Sequence, residues 1–208
     1  NGKGVKQDFK EAVKWYQKAA DQGLAKAQNS LGVRYDNGQG VEKDFKKAFE
    51  WYSKAAAQNH AVAQNSVGNM YDTGQGVKQD FKEAFKWYQK AADQGQTRAQ
   101  TSLGVMYRNG KGVKQDFKEA VKWYQKAADQ GIAEAQNNLG VMYGMGNGVE
   151  QNFVTAYAWA SIAAANEDKT TPRFKSQFLE PKMTPAQIAE GEELVKEMVK
   201  KNPKLLNK

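Results

Sequence analysis

Tryptophan stands at Trp15, Trp51, Trp87, Trp123 and Trp159, five times at an unbroken interval of 36 residues. A fixed period of that length is the signature of a solenoid, in which each repeat is one supersecondary unit that buries its apolar face only against its neighbours. That constraint removes most folds at once. It also moves the functional expectation from catalysis toward presenting a long surface to another macromolecule.

Aligned at tryptophan, the units resolve into two segments of helical length. Val5 to Gly23 reads VKQDFKEAVKWYQKAADQG and recurs letter for letter from Val113 to Gly131; the segment from Val77 differs only at Phe85, and that from Val41 is the divergent copy. This segment, helix B, has a start signal in Asp8 with Glu11 three residues on, an acidic analogue of the capping box, repeated at Asp80/Glu83 and Asp116/Glu119. Gly23, Asn59, Gly95 and Gly131 are its stop signals, being residues that tolerate a left-handed backbone. Ala12, Trp15, Tyr16 and Ala19 form a stripe expected to be buried, with Lys10, Lys14 and Lys18 on the far side. The alternate segment, helix A, is expected to bury Ala27, Leu31, Gly32 and Tyr35. Gly32, Gly68, Gly104 and Gly140 fall mid-helix despite a cost of about 1 kcal/mol each relative to alanine, which close helix approach would offset. No strand pattern occurs.

Leu31-Gly32-x-x-Tyr35 followed by Ala48-x-x-x-Tyr52 is similar to the tetratricopeptide pattern, but the period is 36 and the extra residues fall in a Gly-x-Gly-Val loop. With Trp-Tyr-x-Lys-Ala-Ala, the combination resembles the Sel1-like repeat family. The resemblance implies an all-α, right-handed α/α superhelical solenoid of 36-residue helix pairs, acting as a scaffold for protein complexes. It also implies a bacterial protein that is exported, periplasmic or secreted, although the chain itself fixes no compartment. The cysteine-rich branch of that family carries a disulfide in each repeat, whereas this chain has no cysteine, so activities claimed for that branch do not transfer.

The organisation read from the chain is a repeat array over residues 1–165, a partial first unit followed by four helix pairs, and a C-terminal cap with a basic tail over 166–208. All four prolines lie beyond the array. The last helix B, Phe153 to Ala165, is apolar nearly all round and must be covered on every side. Two short helical patterns supply the cover, one from about Pro172 with Phe174, Phe178 and Leu179, the other starting at Thr184. The second has Thr184 as N-cap, Pro185 at the first position, Gln187 completing a capping box, and Met183 with Ile188 as a hydrophobic staple. Lys196 to Lys208, basic and interrupted by Pro203, is expected to fray. The chain opens at Asn1 in mid-repeat, compatible with removal of a signal peptide or an earlier repeat.

Catalytic chemistry is nearly absent. His60 replaces Leu24, Gln96 and Ile132 of the other units and reads as a surface substitution. One histidine without cysteine makes a zinc site improbable, and no cofactor or metal is expected. No Ser-x-x-Lys, Gly-x-Ser-x-Gly, P-loop or His-Glu-x-x-His string occurs, and the Gly-x-Gly-Val segments follow helices and lack a third glycine, so they are turns. The longest apolar stretch, Ala156 to Ala165, is too short to span a bilayer.

Two surfaces remain as binding candidates. Lysines at 10, 14 and 18, echoed at 82, 86, 90 and at 118, 122, 126, could attract nucleic acid or an anionic envelope polymer. The alternative is a solvated outer face. The tail from Asn166 holds nine of the 31 basic and seven of the 23 acidic residues, so the repeats net only +6, which argues against nucleic acid. The aromatics are expected on the buried stripe and not among the lysines.

The second surface runs along helix A at positions 26, 29, 33 and 36, which by resemblance to tetratricopeptide packing lines a concave groove. Unit by unit it reads Lys26-Asn29-Val33-Asp36, Val62-Asn65-Asn69-Asp72, Arg98-Thr101-Val105-Arg108 and Glu134-Asn137-Val141-Gly144. Helix B is nearly copied between units, yet this stripe changes charge, and its second position stays Asn or Thr. Short amides and hydroxyls suit the backbone of an extended peptide, with Arg98 and Arg108 placed for a carboxylate. The competing reading is drift on an exposed surface. The expectation is a monomeric, non-enzymatic scaffold whose partner is a protein or peptide held by Lys26, Asn29, Val33, Asp36, Asn65, Asn69, Asp72, Arg98, Thr101, Arg108, Asn137 and Val141.

Overall fold

A computed structural model describes residues 8–166 and 174–206. The chain divides into two compact units, Asn1–Gln96 and Thr97–Lys208. Among the described residues every regular element is helical.

The first unit holds α1 (Phe9–Asp21), α2 (Ala25–Asn37), α3 (Phe45–Ala57), α4 (Ala61–Thr73) and α5 (Phe81–Asp93). The odd-numbered helices are helix B. Asp8, Asp44 and Asp80 cap them, their carboxylates accepting from the backbone N–H of Glu11, Lys47 and Glu83 at 3.0–3.1 Å. The glutamate half of the expected capping box does not form. Glu11 and Glu83 instead accept from Lys14 and Lys86 at 3.0 and 2.5 Å, because a salt bridge one turn along the helix is open to the same carboxylate. Gly23, Asn59 and Gly95 end the helices with φ of 86°, 62° and 82°, as expected.

Packing within the unit repeats one seat. A Cβ placed on Gly32 would lie 2.6 Å from the Tyr52 ring, and one on Gly68 2.7 Å from Tyr88. The mid-helix glycine of each helix A is thus the socket for the tyrosine of the following helix B. The buried line is Ala48, Tyr52, Ala55 and Ala56, joined by Ala63, Val67 and Met70 of α4. In this unit tryptophan is not on it, contrary to the expected stripe, whereas Trp123 and Trp159 of the second unit are buried as expected. Trp15 is 61% exposed, and Trp51 and Trp87 are half-buried. Each stands one residue, about 100° of helix, from the seated tyrosine. Trp51 rests on Ala20, Ala27 and Leu31 of the preceding repeat, and Trp87 rests on the Ala48–Met70 cluster.

The second unit holds α6 (Thr97–Asn109), α7 (Phe117–Ala128), α8 (Ala133–Met145), α9 (Phe153–Ala165), a π-helical turn Lys175–Leu179, a 3-10 turn Glu180–Lys182, α10 (Pro185–Lys201) and a 3-10 turn Pro203–Leu205. Asp116 and Asn152 cap α7 and α9. Glu119 again pairs with its lysine, Lys122, at 2.5 Å. Gly104 receives Tyr124 as Gly32 receives Tyr52, with 2.5 Å between a Cβ and the ring.

Apolar α9 is covered as its composition demands. Trp159 and Ile162 join Tyr124, Leu139 and Met142 on one side, while Tyr157 and Ala160 meet Leu179 and Met183 on another. Helix α10 brings Gly191 against Tyr157, so the cap reuses a glycine-to-tyrosine seat. Its capping box is complete, Thr184 and Gln187 exchanging backbone-to-side-chain bonds at 2.9 and 3.2 Å, and Met183 and Ile188 enter the same cluster. The predicted start near Pro172 lies outside the described residues. The expected fraying of the terminus is overturned: Leu205 is buried in the core with Ala127 and Ala128, and Asn202 donates to the Asp129 carbonyl at 3.0 Å. Burying an apolar side chain outweighs the basic, proline-containing composition around it.

Candidate functional site

One buried glutamine per helix A ties successive repeats together. Gln28, Gln64 and Gln136 donate through Nε2 to the carbonyls of Ala20, Ala56 and Ala128 at 3.2–3.3 Å. Their Oε1 atoms accept from an amide 30 residues on, Gln58 to Gln28 at 2.7 Å, Gln94 to Gln64 at 2.6 Å and Asn166 to Gln136 at 2.8 Å. Gln130 to Gln100 repeats the bond at 3.0 Å. Sequence reasoning missed these residues. Their signal was the unvarying Ala-Gln pair of helix A, a polar residue copied beside a core alanine in every unit.

On the candidate stripe of the first unit, Lys26, Val62 and Asn69 are exposed, while Asn29, Val33, Asp36, Asn65 and Asp72 are half-buried. The Oδ1 atoms of Asn29 and Asn65 are buried and accept no hydrogen bond. Asp36 accepts from the Tyr52 hydroxyl at 3.4 Å. Burial, reinforced by that carboxylate, pushes the Tyr52 phenol far above its ordinary value.

In the second unit Arg98 and Glu134 are exposed, and Val105, Arg108, Asn137 and Val141 are half-buried. Thr101 leaves the candidate surface: it is 4% exposed and its hydroxyl donates back to the Thr97 carbonyl at 3.2 Å. Gly144 is buried beneath Leu179, Phe174 and Phe178 of the cap. Arg108 donates to Asn138 at 3.1 Å and to Asn109 at 3.4 Å, both neutral amides. Beside it the Tyr124 hydroxyl, wholly buried, has no partner, and burial pushes the phenol up to about 12.

Much of the lysine face is already engaged. Lys14, Lys86 and Lys122 pair with glutamates one turn away. Lys18, Lys54, Lys90 and Lys126 hold their ammonium groups 4.0–4.6 Å above the rings of Trp15, Trp51, Trp87 and Trp123. The expected separation of aromatics from lysines is therefore wrong for Trp15, Trp51, Trp87 and Trp123, each of which lies under the lysine one turn on. His60 is more than a surface substitution, since its Nδ1 accepts from the Ala63 N–H at 3.2 Å and caps α4. No described helix is long and apolar enough to cross a membrane.

Comparison with known proteins agrees with this architecture. The Sel1 repeat model matches residues 1–24, 25–60, 61–96, 97–132 and 133–168. A Sel1 repeat protein from Oxalobacter formigenes superposes with a TM-score of 0.79 at 36% identity, over 94% of this chain and 82% of that one. The immunity protein Pa5087 from Pseudomonas aeruginosa superposes with a TM-score of 0.57 at 27% identity, over 96% and 75% of the two chains. A second Pseudomonas aeruginosa protein gives 0.55 at 26% identity, over 91% and 72%. No relative among curated proteins matches.

Proposed function

Because the chain belongs to the Sel1 repeat family, whose members are generally non-catalytic scaffolds for protein interaction, we propose that it binds an extended segment of a protein partner along its helix A faces. The observation that carries this reading is the pair of unpartnered Oδ1 acceptors on Asn29 and Asn65, at equivalent positions of successive repeats. A buried acceptor left without a donor costs about 1–3 kcal/mol, and a peptide backbone N–H is the donor that would recover it. Val33 and the exposed Val62 add apolar contact beside them, while Lys26, Asp36, Asn69 and Asp72 supply charge and polarity. In the second unit Arg98 and Arg108 supply charge and Val141 apolar contact, with Asn137 at the position equivalent to Asn29 and Asn65 and without Thr101. The lysine face competes poorly, because much of its charge is locally paired or stacked on tryptophan.

The test is selection of binders from a displayed library of unstructured peptides, followed by calorimetry. Asn29→Leu with Asn65→Leu is expected to weaken a selected peptide by about tenfold or more, with little dependence on salt. If binding instead survives those changes, is abolished by Lys10→Glu, Lys82→Glu and Lys118→Glu, and falls by orders of magnitude between about 50 and 200 mM salt, the lysine face is the site.

A further inference from the structure

Positions 36 and 52 of the first unit correspond to 108 and 124 of the second, and the two pairs differ in one residue. In the first unit the buried Tyr52 phenol finds its acceptor in Asp36. In the second, Arg108 occupies the aspartate's position, and a guanidinium offers donors but no acceptor. The Tyr124 hydroxyl is left wholly buried with nothing to donate to. Arg108 spends its hydrogen bonds on two neutral amides, and no carboxylate among the described residues lies in ion-pair contact with it. A donor without acceptor and a cation without counter-charge thus share one place, where the first unit puts the Asp36 carboxylate.

We propose that Arg108 and Tyr124 form a receptor for a carboxylate of the bound segment, the incoming group standing where the Asp36 carboxylate stands in the first unit. The inference rests on the helix A reading above and names the chemistry of the partner. A carboxylate meets the guanidinium through charge-assisted bonds and accepts from the phenol, which satisfies both groups at once. The long, jointed Arg108 side chain is half-buried and can swing to admit it. Glu134 is the acidic group whose field reaches Tyr124, and it is exposed. The carboxylate can come from an Asp or Glu side chain or from a peptide C-terminus.

The experiment uses the full chain and a peptide selected on it by display, in four forms: unmodified, with its acidic side chains changed to amides, with its C-terminus amidated, and with both changes. Loss of affinity by about tenfold or more on one of the single changes supports the proposal and identifies the source. Arg108→Asp rebuilds the Asp36–Tyr52 arrangement, so it is expected to fold at least as stably as the natural chain while losing the carboxylate preference. Tyr124→Phe should weaken the unmodified peptide several-fold without affecting the doubly blocked one. If the blocked and unmodified peptides bind alike, or Arg108→Asp binds them as the natural chain does, the receptor is refuted while the helix A reading stands. If no peptide is selected at all, the helix A reading itself fails and the receptor with it.

Discussion

Gln136, fully buried in α8, donates to the backbone carbonyl of Leu205 at 2.8 Å, and the same carbonyl accepts from Asn166 at 2.6 Å. Elsewhere the glutamine rung joins one repeat to the next. Here it ends on the tail, which supplies a carbonyl to the exposed rung and a leucine to the apolar end of the stack, the two things a solenoid terminus lacks.

The tail is accordingly predicted to be part of the folded structure. Leu205→Ala should lower the unfolding free energy by about 2–5 kcal/mol, as for other buried leucines, and removal of everything after Lys201 should lower it further by stripping the carbonyl from Gln136 and Asn166. Urea titration measures both. A truncation that costs nothing would mean that the tail is an ornament.

The rungs are predicted to act as coupled pairs. Gln64→Leu removes the bonds to the Ala56 carbonyl and to Asn59 together with the one received from Gln94, whose amide keeps Asn59 and the Lys90 carbonyl, and should cost about 1–3 kcal/mol. Gln64→Leu with Gln94→Leu should cost less than the sum of the two single changes, because residues in one hydrogen-bond network do not add. Strict additivity in denaturant melts would remove the rung from the account of stability.

Much of this fold is written locally, which is why it could be read. Asp caps, left-handed Gly and Asn stops and the Thr184–Gln187 box are decided within four residues. The glycine socket was legible too, since only close approach explains four glycines mid-helix. What escaped depends on neighbours far along the chain, from 16 residues for Tyr52 and Asp36 to 73 for Asn202 and Asp129. That tyrosine and not tryptophan fills the Gly32 socket is stated by nothing near Trp15. Leu205 reads as part of a basic tail until the end of the stack is there to receive it. The binding candidates were legible only as a variable stripe; burial then withdrew Thr101, and the missing acceptor of Tyr124 singled out Arg108.

Gly104 offers a direct test of the socket. Alanine is the better helix former by about 1 kcal/mol, so on an open helix face Gly104→Ala would stabilise. Its Cβ would meet the Tyr124 ring at 2.5 Å, and the expected result is a net loss of about 1–3 kcal/mol from overpacking. Gly23→Ala serves as a control with open space around its Cβ, where only the left-handed backbone resists the change. A stabilised Gly104→Ala in urea titration would show that the approach of α6 and α7 can relax freely.

Alkaline pH should expose the buried phenol. Burial holds Tyr124 up to about 12 against an ordinary 10.0, so the unfolded chain gives up this proton first. Above the unfolded value the folded state binds more protons than the unfolded one, and stability therefore falls as pH rises. The contribution is intact below about pH 10 and is lost progressively toward pH 12, by about 2–3 kcal/mol in all at roughly 1.4 kcal/mol per unit. Phenylalanine cannot titrate, so Tyr124→Phe should be less sensitive to alkali than the natural chain, and the difference between the two isolates this group from the lysines and other tyrosines. Urea unfolding of both proteins from about pH 9 to about pH 11.5 is the measurement. Parallel stability curves would place the Tyr124 hydroxyl in contact with solvent or an acceptor, and would take with it the unpaired donor on which the Arg108 receptor depends.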